Sequence, residues 1–184
     1  MDKYCSVVHT EDGKVMGLIY PEVFSTTQGF LELLQFLELK APYFARNDLQ
    51  LLVPIDLQMA FLLTHDTNIS RLVELYPFLK LMIRESFPNL IDGRKNRLLE
   101  NLCERYEVWL GNLGSGARTN MVAVMEGMFD GVVLDAGFAE ANATMPFFPS
   151  VIREVGKYTK YVVVPGVSTG KYREVRLRHV ESLI

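Results

Sequence analysis

The sequence lacks the features that would carry it into a membrane or out of the cell. Its longest apolar runs, Leu49 to Ile55 and Tyr161 to Val167, fall far below the ~18 to 20 residues that a membrane-spanning helix requires. The opening stretch, MDKYCSVVHTEDG, meets charged residues at once and holds no long apolar segment, so no secretory leader is expected and the expected location is the cytoplasm. Cysteine is scarce. Cys5 and Cys103 are too few for a disulfide-framed secreted scaffold and are expected as reduced, buried thiols, Cys103 on an apolar helical stripe. Without secretion, the sequon Asn68-Ile69-Ser70 is a chance match. There is no basic excess either: the net charge is −3, and only the C-terminal tail is basic, which argues against a nucleic-acid surface. His9, His65 and His179 have no ligand spacing, so zinc is not expected. No GxxxxGK occurs, and Gly111-Asn112-Leu113-Gly114-Ser115-Gly116 has neither the spacing nor the early position of a dinucleotide fingerprint.

What remains is a well-furnished globular chain. With 184 residues, 49% of them hydrophobic and 22% charged, a single domain with a real core is expected over 1–184. The first segment reads as two strands, Lys3 to His9 and Lys14 to Tyr20, joined by a turn at Glu11-Asp12-Gly13. A helix follows, with Ser25, Thr26 and Thr27 as cap candidates, Phe30, Leu33, Leu34 and Leu37 at helical spacing, and Pro42 as its expected stop. Strands are then expected at Gln50 to Asp56, Phe78 to Glu85, Glu107 to Asn112, Gly131 to Asp135 and Lys160 to Val167. Helices fill the gaps. One runs from Lys95 to Tyr106 with Leu98, Leu99, Leu102, Cys103 and Tyr106 on one stripe and Asp92 as its cap. Another begins near Thr144 and Pro146, with Phe148, Val151, Ile152 and Val155 facing inward. Strands alternating with helices at this spacing predict a mostly parallel α/β sheet, and periodicity alone does not separate a doubly wound sheet from a barrel.

Three segments in order resemble the EAL family, the cyclic di-GMP phosphodiesterases built on a modified TIM (βα) barrel. Leu79-Lys80-Leu81-Met82-Ile83-Arg84-Glu85-Ser86 is similar to the strand L-x-L-E-I-T-E-S. Trp109-Leu110-Gly111-Asn112-Leu113-Gly114-Ser115-Gly116 is similar to A-L-D-D-F-G-S-G. Phe129-Asp130-Gly131-Val132-Val133-Leu134-Asp135, with Phe138 behind it, matches F-D-x-I-K-I-D. Val162-Val163-Val164-Pro165-Gly166-Val167-Ser168-Thr169 then falls where V-V-A-E-G-V-E-T is expected. The resemblance covers roughly residues 50 to 169.

The departures carry the functional implication. Hydrolysis in this family implies acidic and amide side chains at strand ends that hold a divalent metal and activate water. Position by position, Ile19 stands for the signature glutamate, Met82 for the first glutamate of E-I-T-E, Gly111 and Asn112 for the aspartate pair, Val133 for the lysine and Pro165 for the glutamate of E-G-V-E. Isoleucine, methionine, glycine and proline offer no oxygen side chain to a hard cation. The resemblance therefore implies no cofactor, no metal and no catalysis. Asp56, Glu85 and Asp135 remain at strand ends as a weaker metal alternative, against the plainer reading that such acids cap helices or accept from loop amides. Gly114-Ser115-Gly116 reads as a tight connection needing positive φ rather than an anion cradle.

Within the family, Phe78 to Gly93, Gly93-Arg94-Lys95-Asn96 and Leu110 to Gly116 resemble the degenerate stand-alone EAL-like proteins that bind the FlhD subunit of the flagellar master activator FlhDC. That resemblance implies a non-enzymatic anti-activator that represses flagellar gene expression and motility, the alternatives being a residual cyclic di-GMP receptor and a phosphodiesterase with an unusual site. It also implies an incomplete barrel, truncated at the C-terminus, with 170–184 as a divergent tail. The tail alternates basic and apolar residues, which suits a strand, a short amphipathic helix or a solvated end. An open barrel leaves a strand edge as a template for pairing. The expected partner-binding residues are accordingly Tyr161, Val163, Lys171, Tyr172, Arg173 and Arg176, with a homodimer as the other use of that edge. Phe147 and Phe148 are a candidate exposed patch, at least one of them packing into the core.

Overall fold

The computed structural model describes residues 3–116, 121–166 and 174–183. They divide into two compact units, residues 3–80 with 174–183 and residues 81–166. Each unit carries its own stretch of sheet.

In the first unit, β1 (Tyr4–His9) and β2 (Val15–Ile19) form an antiparallel pair. Their turn is closed by Thr10 N–H donating to the Lys14 carbonyl at 2.9 Å, with Gly13 at φ +83°, a left-handed backbone that glycine adopts without a Cβ penalty. β2 pairs in parallel with β3 (Gln50–Pro54), where Gly17 lies so close to the Gln50 carbonyl that any Cβ would overlap it. Leu51, Leu52 and Val53 are fully buried, as a strand covered on both faces demands. On the other side of β1 lies β8 (Glu174–Arg176), antiparallel.

Helix α1 spans Thr27–Arg46, capped by Thr26, whose hydroxyl accepts from Gly29 N–H at 3.3 Å. It does not stop at Pro42, as the sequence predicts, but carries that proline inside it. Proline lacks the N–H that would close its helical turn. The last turn is held instead by Phe44, which is fully buried, stacks on Phe78 at 4.6 Å, and whose carbonyl accepts from Leu49 N–H. Helices α2 (Leu57–His65) and α3 (Thr67–Glu74) follow, capped by Asp56 and Asp66.

The chain passes from the first unit into the second within β4 (Leu79–Arg84). In the second unit β4, β5 (Val108–Leu113), β6 (Gly131–Leu134) and β7 (Tyr161–Val163) lie in sequence order and all pair in parallel. The intervening helices are α4 (Arg97–Arg105), α5 (Met121–Met125), α6 (Ala136–Asn142) and α7 (Phe148–Gly156). Asn96, not Asp92, caps α4. The carboxamide of Asn96 accepts from Leu99 N–H at 3.2 Å while its NH₂ donates to the Pro88 and Asn89 carbonyls at 3.0 and 3.3 Å. An aspartate accepts but cannot donate, and Gly93 at φ +52° has already broken the helical path between Asp92 and α4.

The mostly parallel α/β order is the expected one. Among the described residues the strand order ends on β8 in the first unit and on β7 in the second, so the sheet is not closed. Both cysteines are free thiols, Cys5 buried and Cys103 half-buried, and burial pushes each pKa up to about 12. Among the described residues no helix is long and apolar enough to cross a membrane.

Candidate functional site

The strand ends carry the residues that the sequence singles out for metal chemistry. Asp56, behind β3, accepts from Met59 N–H at 2.9 Å and caps α2. Asp135, behind β6, accepts from Phe138 N–H at 2.9 Å and caps α6. Both carboxylates thus satisfy helix N–H groups that have no partner within their helix. Glu85 is buried behind β4, and one of its oxygens accepts from Gly114 N–H at 3.0 Å, the Ser115 hydroxyl at 3.1 Å and Gly116 N–H at 3.1 Å. Three donors on one oxygen offset the desolvation of a buried carboxylate. The same loop needs its glycine: Gly114 sits at φ +98° with the Phe138 ring against the place of its missing Cβ. Asn112 adopts φ +60° beside it.

The replaced positions lie on these same strands. Ile19 is half-buried at the end of β2, Met82 is buried in β4, Gly111 in β5 and Val133 in β6, and Pro165 is half-buried just past β7. The strand register sets Met82 beside Trp109, Trp109 beside Gly131 and Gly131 beside Tyr161. Alternate positions of a strand share one face, so Met82, Trp109, Gly131 and Tyr161 form one row, with Gly111, Val133 and Val163 further along it. A Cβ on Gly111 would meet the Met82 sulfur at 2.9 Å, and a Cβ on Gly131 would meet the Trp109 ring at 2.5 Å. Trp109 is fully buried and lies parallel to the Tyr161 ring, with centroids 5.3 Å apart. Its indole N–H has no acceptor among the described residues.

These residues do not fit a divalent metal. The row offers sulfur, indole and hydrocarbon, whereas hard cations take oxygen donors. Among the described residues no group of three or more His, Cys, Asp or Glu side chains is placed to hold an ion.

Of the six residues singled out for partner binding, Lys171, Tyr172 and Arg173 lie outside the described residues. Tyr161 and Val163 are in β7, the outermost strand of its unit among the described residues. Tyr161 is 38% exposed and Val162 and Val163 are half-buried. The strand is anchored at its start by Lys160, whose ammonium pairs with Asp130 at 2.8 Å and whose backbone N–H donates to the Asp130 carbonyl. Arg176 is in β8, where Nε donates to the Tyr4 hydroxyl at 2.6 Å and the guanidinium stacks 4.8 Å from that ring's centroid. The described part of the tail is folded, not a solvated end. Beyond β8 a 3₁₀ turn spans Leu177–Leu183, with Val175, Leu177, Val180 and Leu183 buried. Of the phenylalanine pair, Phe148 is buried and Phe147 is half exposed.

Sequence reasoning missed the row that joins Trp109, Gly131 and Tyr161. The signal was present in the alternation of Trp109 with Gly111, Gly131 with Val133 and Tyr161 with Val163, but only a known register aligns the three strands.

No family model matches the chain. It is 32% identical over 148 residues to the putative anti-FlhC(2)FlhD(4) factor YdiV of Escherichia coli (strain K12), an alignment that covers 78% of the chain and 62% of that relative. The chain thus spans less than two thirds of the curated relative's length. Its fold matches a crystal structure of the EAL-like domain protein YdiV with a TM-score of 0.86 at 24% identity, covering 100% of this chain and 95% of that one. It also matches the EAL domain of Mycobacterium smegmatis DcpA with a TM-score of 0.62 at 17% identity, covering 89% and 80%.

Proposed function

The chain has the EAL-like fold and a curated anti-FlhC(2)FlhD(4) factor among its relatives, and from that premise we propose that it is a non-enzymatic regulator that binds the FlhD subunit of FlhDC. We read its 184 residues as one degenerate EAL-like domain. By occupying FlhD it withholds the activator from flagellar genes and represses motility. It works in the cytoplasm, where a transcription activator meets the chromosome.

The observation that carries this reading is the replacement of the strand-end donors. Ile19, Met82, Gly111, Val133 and Pro165 supply no metal-binding oxygen, and Asp56, Glu85 and Asp135 are already engaged by backbone amides. Loss of even one outer-sphere partner costs about 10 to 100-fold in metal affinity or activity. Loss of several direct ligands argues against turnover, and the anti-FlhC(2)FlhD(4) names of the relatives support binding as the role.

The association surface in this reading centres on β7, with Tyr161 and Val163 contacting the partner. Lys171, Tyr172, Arg173 and Arg176 are a second set of contacts in the same reading. Deleting the tail does not test this, because removal of Val175, Leu177, Val180 and Leu183 takes buried side chains from the first unit. The test is isothermal titration of the full chain with purified FlhD, paired with a cyclic di-GMP hydrolysis assay. Saturable FlhD binding without turnover supports the proposal. Absence of a complex at tens of micromolar, or hydrolysis above a no-protein blank, overturns it.

A further inference from the structure

We propose that the outer face of α2 is a self-association surface, on which two copies of the chain meet as a weak antiparallel helix pair with Phe61 and Leu62 at its centre. The inference does not depend on FlhD binding, and it places self-association on α2, not on β7.

Helix α2 (LQMAFLLTH) carries no Asp, Glu, Lys or Arg in its nine residues. Its inward stripe, Met59, Ala60, Leu63 and Thr64, is buried in the first unit. The outward positions Gln58, Phe61, Leu62 and His65 recur at i, i+3, i+4 and i+7, which makes a second stripe on the opposite side. Phe61 is 52% exposed and Leu57 beside it 44%, while Leu62 is half-buried. A helix without a charged side is ordinarily covered all round, yet this one is covered on one side only among the described residues. The Phe61 ring is already ordered. It stacks on the His65 imidazole with centroids 4.0 Å apart and planes at 16°, and a ring held in place before contact loses less freedom on association.

Charge selects the occupant. A foreign partner is steered and discriminated by charges at its contact face, and the outer stripe of α2 supplies none. The flanking carboxylates, Asp56 and Asp66, are taken up by the Met59, Asn68 and Ile69 N–H groups. A second copy needs no charges of opposite sign. Each chain has a net charge of −3, so copies repel except where the local surface is neutral. Reversal of α2 about its midpoint sets Phe61 against Leu62 of the second copy and Gln58 against its His65. Apolar groups then meet apolar groups, neutral hydrogen-bonding groups meet at both ends, and the two helix dipoles oppose, as a twofold interface requires. A half-exposed aromatic ring of ~200 Å² contributes on the order of 100 Å². The whole stripe then buries roughly 800 Å² in the pair, short of the ~1,200 Å² of a stable complex. The dimer is therefore transient, with a Kd on the order of 100 µM.

The test is sedimentation velocity of the full chain from about 5 to about 500 µM, on either side of that Kd. The weight-average mass is expected to rise from 21.0 kDa toward twice that value. Phe61→Ala should weaken the dimer about tenfold and Phe61→Glu should abolish it within this range. Alanine is the best helix former, so Phe61→Ala decides the matter if Phe61→Glu fails to fold. Tyr161→Ser should dimerise like the parent. A parent that stays monomeric at the highest concentration overturns the proposal, and loss of FlhD binding in Phe61→Glu would then assign the face to FlhD. A dimer that is unchanged in Phe61→Ala, or that dissolves in Tyr161→Ser, is held by another surface and overturns it equally.

Discussion

The outermost strands of the two units finish their sheets in different ways. β8 is a short strand whose surroundings are sealed: Val175 and Leu177 are buried, Arg176 is tied to Tyr4, and the Lys40 ammonium bonds both the Arg178 carbonyl and the Glu181 carboxylate. β7 is equally short, but Tyr161 is exposed, and the valines after it are half-buried. Unpaired strand edges attract other chains, and natural folds cover them where association is unwanted. Among the described residues the β8 side is the more deeply packed of the two, and it is on β7 that the proposed recognition edge lies.

The sharpest break in that contrast is Leu177→Ala. Leu177 is fully buried beyond β8, and a buried leucine truncated to alanine costs about 2–5 kcal/mol, which urea denaturation would read as a lowered midpoint. Its FlhD affinity, measured on the folded fraction, should stay within about twofold of the parent. Tyr161→Ser should do the reverse. The ring stack is worth about 0.5–1.5 kcal/mol, so stability falls little, while FlhD binding by calorimetry should weaken about tenfold, or about 1.4 kcal/mol. If Tyr161→Ser binds FlhD like the parent, β7 is not the recognition edge.

A matched pair of caps gives the control. Asp56→Ala in the first unit and Asp135→Ala in the second each remove one carboxylate from a helix N–H, and each should cost about 1 kcal/mol by thermal unfolding. Equal losses place the asymmetry at the strand edges, and a much larger loss in one unit would move it elsewhere. The smallest effect belongs to Glu181. Its hydrogen bond to Lys40 holds its carboxyl below the usual value of 4.5. A depressed carboxyl contributes stability that is present above the unfolded pKa and lost as pH falls through the folded one. The Tm difference between the parent and Glu181→Gln should therefore be visible at pH 6 and be lost as pH falls through the lowered pKa of Glu181. A difference that persists in acid would show that the Lys40 pairing is not its source.

The helix caps at Thr26 and Asp56 were legible because capping is local chemistry. So were the core strands, from runs such as Leu51 to Val53. The replaced strand-end positions could be named from the resemblance to the EAL motifs, because each motif carries its own register. Pro42 and Asp92 misled for the opposite reason. Whether a proline ends a helix depended on the distant Phe78 against which Phe44 packs, and the α4 cap depended on which side chain could also donate back to Pro88 and Asn89. The tail's basic and apolar alternation fitted several structures equally well, and pairing with β1 selected one.

By itself, then, the sequence determined the alternation of strands and helices, which follows from residue spacing, and its resemblance to the EAL motifs implied the loss of the family's metal-binding oxygens. Only the tertiary structure decided what took the place of the lost donors. The fit of Met82 to Gly111, and of Trp109 between Gly131 and Tyr161, depends on strand register. Register is a relation between segments far apart in the chain, fixed by how their faces are buried together.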